Sequence, residues 1–374
     1  MIRVGFRLIG GAAWQGGRTY LWNLLHAITT LPAPRLAPVV LARPGEEPGD
    51  LIQPGVERFD TGESPRARMA GRIAALAIGR DPVEARWLRE AKIDVFSHAT
   101  PVGRVPAIGW IPDVQHRHLP QLSTRSERLI RDMLFRELLK RCRFVIASSE
   151  AARADLIKFY GAKPERLRVL RFVSQPRQAA DIPVAQLRAK HGLPERWIHL
   201  PNQLWKHKNH ALVVEALRAA PDVTVVATGP TENYRHPGLF DELTEQARRA
   251  GVADRFRHLG LVPFAELFAL MHHAVAVVNP SRFEGWSTTV EEAKSLGKRL
   301  LVSDIAVHRE QAAERATYFG IDDAAALASA MRDATSAFDP ALDAAFALKA
   351  AQALPARTQA FGEAYEQLVL EAAR

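Results

Sequence analysis

Short apolar runs alternate with longer helical patterns along nearly the whole chain, and this alternation constrains the fold more than any other feature. Parallel strands need a crossover between them, usually a helix, so a βαβα order specifies an α/β protein. Residues 2–8 read as the first strand; Gly10-Gly11 and Gly16-Gly17 form a glycine-rich loop, and residues 19–30 have helical periodicity. Further strands are expected over 38–41, 94–97, 107–111, 144–148 and 168–171, with a basic helix over 126–142 and a helix closing at 155–160. Between 174 and 195, Pro176, Pro183 and Pro194 break the pattern, which marks a linker. A second series comes next, with strands at 197–200, 223–227, 256–259, 274–278 and 299–302 and helices at 211–219, 239–250, 264–272 and 289–296. At 374 residues the chain exceeds what one core usually supports. The expectation is two Rossmann-like halves, 1–173 and 196–355, joined by the linker, with a helix over 356–374 that packs back on the first half. Ligands of such open sheets bind beyond the carboxyl ends of the strands.

Composition narrows the class. With 47% hydrophobic and 24% charged residues and no uninterrupted apolar stretch near the length of a membrane span, the chain reads as a globular protein. Met1 to Phe6 runs straight into a strand without a signal-peptide core, and Cys142 is the one cysteine. A disulfide framework and a cysteine metal cluster are thereby excluded, and a cytoplasmic location is the simplest expectation. The net charge of +9 suits nucleic acid, an anionic membrane or a phosphorylated ligand. Nucleic acid is not expected, because no reading module or interleaved aromatic pattern accompanies the charge. Arg125, Arg128, Arg131, Arg136, Lys140, Arg141 and Arg143 crowd one helix, and Arg66, Arg68, Arg72 and Arg80 a second segment. Either a solvated face or docking on the anionic inner membrane surface would produce this pattern.

The most informative segment is 275–293. A buried strand ends at Asn279-Pro280, and a loop then carries Glu284 and Gly285. Ser287, Thr288 and Thr289 are three candidate N-caps of a helix that Gly297 would end. Free N–H groups at a helix start suit a diphosphate. Glu284 and Glu292, eight residues apart, can accept hydrogen bonds from sugar or ribose hydroxyls. The competing reading is structural: Thr288 with Glu291, and Thr289 with Glu292, both have capping-box spacing.

Residues 280–292, continuing into Ala293-Lys294-Ser295-Leu296-Gly297-Lys298, resemble the E-x7-E signature of glycosyltransferase family 4, retaining enzymes of the GT-B fold. His258-Leu259-Gly260-Leu261-Val262-Pro263 before Glu266-Leu267 resembles the family's strand and helix on the N-terminal side of that signature. Val302-Ser303-Asp304 with His308-Arg309-Glu310 resembles the segment on its C-terminal side. The resemblance implies two Rossmann-like domains facing each other across a cleft, a nucleotide-sugar donor, and a glycan or lipid-linked acceptor on the N-terminal side. It places Glu284 on the donor sugar, Glu292 on the ribose, and Gly285, Trp286, Ser287 and Thr288 near the sugar and diphosphate. Lys208 matches the family's diphosphate lysine, whereas Gln203 stands where an arginine is expected; Lys206 and His207 are near enough in sequence to compensate.

In the N-terminal half, Gly16 and Gly17 resemble the glycine-rich loop that approaches donor phosphates and acceptor. Asp113 and His116 are candidates for touching sugar or acceptor, with Pro112 where relatives carry histidine, and Ser148-Ser149-Glu150 reads as a helix cap. The resemblance further implies a retaining, metal-independent hexosyl transfer with no cofactor beyond the nucleotide-sugar co-substrate. The leaving diphosphate, held by Lys208 and the helix start, would assist the acceptor. No Asp-x-Asp motif and no metal-ligand spacing is present. GDP-mannose is slightly favoured as donor over a UDP-sugar, with surface polysaccharide or lipopolysaccharide synthesis as the setting. A sugar-nucleotide epimerase or a phosphorylase would share the fold.

Overall fold

The computed structural model describes all residues except 11–14, 79–80, 177–181, 234 and 312. It divides into two compact units: Met1–Arg117, Thr124–Val173 and Pro355–Arg374 form unit 1, and His118–Ser123 with Ser174–Leu354 form unit 2.

Unit 1 is built on β1 (Ile2–Arg7), β2 (Leu36–Ala42), β3 (Glu57–Asp60), β4 (Val95–Ser97), β5 (Ala107–Ile111), β6 (Phe144–Ala147) and β7 (Leu167–Val169). All pair in parallel in the order β3-β2-β1-β4-β5-β6-β7. Unit 2 has β8 (Ile198–Pro201), β9 (Val225–Thr228), β10 (Phe256–His258), β11 (Ala276–Asn279), β12 (Leu300–Ser303) and β13 (Ala316–Phe319), also parallel, in the order β10-β9-β8-β11-β12-β13. Helices cover both faces of such sheets, so the inner strands are buried on both sides and read as continuous apolar runs. Every residue of β9, β11 and β12 is buried.

The structure adds elements that the sequence reading did not name, among them the edge strand β13 and the helices Pro65–Ile78, Pro82–Glu90, Ala306–Gln311 and Ala324–Ser336, and it departs from that reading elsewhere. The edge strand β3 was not expected: its residues are exposed or half-buried, so no apolar run marks it. The expected linker contains a helix, Val184–His191, whose Leu187 packs with Leu193 and Trp197. The last helix starts at Pro340, not after Pro355, and runs to Ala373. Proline fixes a helix-compatible φ and removes a single N–H, a loss of roughly 3 kcal/mol that a helix of 34 residues can absorb through packing. Within unit 1 that packing is close. Tyr365 donates to Ser97 Oγ at 2.6 Å, Arg35 donates to Glu366, and a Cβ on Gly362 would collide with the Ala27 carbonyl oxygen. Among the described residues no helix is long and apolar enough to cross a membrane.

Candidate functional site

In unit 2 the chain lays β8, β9 and β10 in one direction across the sheet, then returns to add β11, β12 and β13 on the other side of β8. β8 and β11 are therefore neighbours whose following loops diverge, which opens a crevice at their carboxyl ends. The loop after β8 carries Gln203 and Lys208, and the loop after β11 carries Glu284 to Ser287. A backbone bond from Arg282 N–H to the His207 carbonyl, 2.8 Å long, ties the two loops together. Lys208 Nζ then donates to Glu284 Oε1 at 2.6 Å.

The electrostatics arise from this contact. Burial pushes the Glu284 carboxyl up, but Lys208, His207 and His308 outweigh it and hold the group at about 2. The two imidazoles are weak contributors near neutral pH. Burial, reinforced by Lys208, drives His207 down to about 3, and burial also lowers His308, so both are uncharged there. Lys208 is the cation that keeps Glu284 ionised.

The helix Thr288–Ser295 begins beside this pair. Its N-cap is Ser287, whose hydroxyl accepts from Val290 N–H at 3.3 Å. Residue N3 is therefore Val290, and neither glutamate forms a capping box; Thr288 and Thr289 lie inside the helix. Gly297, at φ +68°, comes just after the helix end as expected. Glu291 occupies the first turn and is bonded to Lys294 and Gln311, whereas Glu292 lies one residue further on, buried, and one turn below Thr288 on the same face. Gln311 clamps the cap from both sides: its Oε1 accepts from Ser287 N–H at 3.2 Å and its Nε2 donates to the Ser287 carbonyl at 3.0 Å. Asn279 donates to Ser287 Oγ at 2.7 Å, and Thr289 donates to Asn202 Oδ1 at 3.1 Å. Among the described residues the backbone N–H groups of Thr288 and Thr289 meet no protein acceptor, an arrangement suited to an anion.

Unit 2 thus gathers Lys208, Glu284, Gly285, Trp286, Ser287, Thr288 and Glu292, with half-buried Gln203 in the loop before Lys208. Lys206 is exposed and His207 is neutral, so His207 supplies no charge in place of the expected arginine. A residue that the sequence reading did not single out brings a guanidinium to the same loop. Arg235 lies with its guanidinium 5.3 Å from the Trp205 ring centre and near enough to His207 to lower its pKa. Its loop is fixed by Asn233, which donates to the Leu204 carbonyl at 3.0 Å and accepts from Arg235 N–H. Gly229, at φ +134°, lets that loop approach: a Cβ there would sit 2.7 Å from the Asn202 carbonyl oxygen. Gln311 was also missed, because it acts through a contact distant in sequence, and Asn279 and His308 were named only as parts of their segments, without a role at the site.

The N-terminal candidates lie in unit 1. Gly16 and Gly17 are in the first turn of the helix Gln15–Thr29, not in a loop; Gly11 falls outside the described residues. Asp113 is half-buried and accepts from Gln115 N–H at 2.9 Å. His116 is not on a loop surface. It is 1% exposed, with Nε2 at 3.0 Å from Asp132 and 2.9 Å from Tyr160 Oη, and burial outweighs Asp132 to lower its pKa. The contacts that the structure gives its Nε2 are thus internal ones. Ser149 caps the helix Glu150–Tyr160 through Ala152 N–H. Among the described residues, no cluster of three or more His, Cys, Asp or Glu side chains is placed to hold a metal ion.

Comparison with known proteins identifies the architecture. Residues 185–341 match the family described as glycosyl transferases group 1, and residues 16–171 match glycosyltransferase family 4. The chain belongs to the group 1 and family 4 glycosyltransferases. Solved structures similar to it have the GT-B fold of two Rossmann-like domains. HepE from Anabaena, in complex with UDP and glucose, superimposes with a TM-score of 0.75 at 17% identity, covering 99% of this chain and 100% of that one. Sucrose-phosphate synthase from Thermosynechococcus elongatus gives 0.76 at 16% identity over 99% and 100%. WaaG, a glycosyltransferase involved in lipopolysaccharide biosynthesis, gives 0.64 at 17% identity over 98% and 99%. No curated protein matches the glycosyltransferase sequence. As a member of these families the glycosyltransferase acts on nucleotide sugars.

Proposed function

We propose that this glycosyltransferase moves a hexose, with retention and without a metal ion, from a nucleotide-sugar donor held by unit 2 to a glycan or lipid-linked glycan in surface polysaccharide or lipopolysaccharide synthesis. The observation that supports the donor assignment most is the Lys208–Glu284 pair beside an open helix start. A bound donor offers each group what its present partner offers. Phosphate oxygens replace the carboxylate on Lys208, and sugar hydroxyls replace the ammonium on Glu284. Glu292 takes ribose hydroxyls from the next turn of the helix. As the glycosidic bond breaks, negative charge grows on the diphosphate, where Lys208, Arg235 and the Thr288 and Thr289 N–H groups stabilise it. Gln203, half-buried in the same loop, contacts the diphosphate as a neutral donor. Asp113 is retained as a contact of sugar or acceptor.

The stretch Trp205 to His210 slightly favours GDP-mannose as donor, and the UDP and glucose bound to HepE make UDP-glucose its competitor. A thermal-shift panel of GDP-mannose, UDP-glucose, GDP and UDP tests this, because a ligand of the native state raises Tm. A shift abolished by Lys208→Ala supports the site; an equal shift in that variant would refute it.

The membrane partner is part of the same proposal. The helix Arg125–Arg141 contains no buried residue and exposes Leu129, Ile130, Met133 and Leu134, each at least half accessible, among Arg125, Arg131, Arg136 and Lys140. Apolar residues at i, i+1, i+4 and i+5 share one helix face, and a basic helix with such a face suits the boundary of an anionic leaflet. On this reading the glycosyltransferase works as a peripheral protein at the inner membrane face.

A further inference from the structure

The short helix Ala306–Gln311, which follows β12, turns one face toward the loop that carries Glu284. Gln311 on that face clamps Ser287, and His308 lies one turn before it on the same side of the helix. Ser303, at the end of β12, donates its hydroxyl to the Ser281 carbonyl at the start of that loop and touches the His308 ring. His308 is therefore held between the two anchored ends of the loop 281–287.

The tautomer of His308 follows from these contacts. The Ser303 carbonyl oxygen lies 2.8 Å from Nδ1 and can only accept, so Nδ1 carries the proton. Burial keeps the ring neutral, which leaves Nε2 as a bare acceptor. His308 is 1% exposed, and its Nε2 is buried with no hydrogen-bond partner among the described residues. Native structures rarely leave such an atom unpaired, so this one calls for an explanation.

The neighbour narrows what Nε2 can hold. Glu284 and His308 are close enough for each to shift the pKa of the other. A neutral imidazole nitrogen and an ionised carboxylate both accept, so a shared ligand must bring two donors side by side. A metal ion or an amine would meet Lys208, whose ammonium already lies on Glu284. An ionised phosphate or carboxylate brings no donor. Adjacent hydroxyls of a sugar ring donate one hydrogen each and bring no charge.

We propose that His308 is a sugar-selecting residue of the donor site, its Nε2 accepting from the hydroxyl next to the one held by Glu284. The inference rests on the donor reading and deepens it, from a hexose in general to one with a free vicinal diol facing this pair. Titration calorimetry of the full-length protein tests it, with UDP-glucose, GDP-mannose, UDP, GDP, and sugar nucleotides deoxygenated at one sugar carbon at a time. His308→Asn keeps a side-chain N–H for the Ser303 carbonyl and deletes the atom at Nε2, whereas His308→Gln puts an amide oxygen there. The parent should bind at least one sugar nucleotide more tightly than its free diphosphate. It should lose about tenfold on deoxygenation at either of two adjacent carbons. In His308→Asn the penalty at one of these carbons should vanish, while the other penalty and the UDP and GDP affinities stay as in the parent. His308→Gln should restore the missing penalty. An identical deoxygenation pattern in the parent and in His308→Asn overturns the proposal, and would leave Nε2 to a buried water. So does an equal loss of diphosphates and sugar nucleotides in that variant, which would mark a structural role. Two parent results overturn it without any variant: penalties confined to one carbon or to non-adjacent carbons, and sugar nucleotides that bind no better than their diphosphates. Failure of the donor assignment is read separately, as UDP and GDP affinity unaffected by Lys208→Ala.

Discussion

Replacing Lys208 with methionine keeps much of the side chain's apolar bulk while removing the cation that holds Glu284 ionised. The Glu284 side chain is only 9% exposed, so solvent screens the pair little. Its carboxyl falls from 4.5 to about 2 in the folded protein. At 1.36 kcal/mol per unit, that difference is worth about 3 kcal/mol of stability. Because the folded pKa is depressed, the contribution is fully present above about pH 4.5 and disappears as the pH falls through about 2. In Lys208→Met, burial acts on Glu284 without its main opposition, and its pKa rises above that of the parent. The variant should therefore melt well below the parent at pH 7.5, by roughly 6–12 °C if unit 2 unfolds cooperatively. The gap should narrow steadily as the pH is lowered toward 3.5, because protonation relieves the uncompensated charge. Adding Glu284→Gln should recover part of the loss at pH 7.5, since removing both charges costs less than stranding one. Differential scanning calorimetry from pH 3.5 to 7.5 on the three proteins provides the measurement. A gap of constant size across that range, or no recovery in the double variant, would show that Lys208 does not set the ionisation of Glu284.

Gly229→Ala should lower both Tm and UDP or GDP affinity, because its Cβ collides with the Asn202 carbonyl oxygen at 2.7 Å and φ is +134°; calorimetry and titration on one sample check both effects. Arg235→Ala should weaken diphosphate nucleotides about tenfold or more, the value of one hydrogen bond to a charged group, while leaving the parent nucleosides unaffected. Titration with UDP against uridine, and GDP against guanosine, checks it; equal losses for both would assign Arg235 a structural role only. Leu129→Ser with Met133→Ser should abolish flotation with vesicles rich in phosphatidylglycerol without changing Tm, since both side chains are exposed. Parent protein that floats equally with neutral phosphatidylcholine vesicles would count against the charge argument.

The sequence by itself determined the inner strands of the two parallel series, because buried parallel strands leave unbroken apolar runs and their crossovers leave helical periodicity; the edge strand β13, only partly buried, went unread like β3. It also marked the segment from Glu284 to Glu292, where strand, loop and helix start are adjacent in the chain. Edge strand β3 left no such trace, since exposed residues carry no burial pattern. Choosing among three adjacent caps lay beyond sequence spacing, and tertiary structure settled it: Gln311 and Asn279 hold Ser287 from 24 and 8 residues away. The same long-range packing made His207 neutral and brought Arg235 near it, and it placed His116 in an internal network with Asp132 and Tyr160. A side chain's charge and hydrogen-bond partners depend on its surroundings in space. The local chain fixes which residue types arrive at the end of a strand; the fold decides which of them remain charged and which are already engaged.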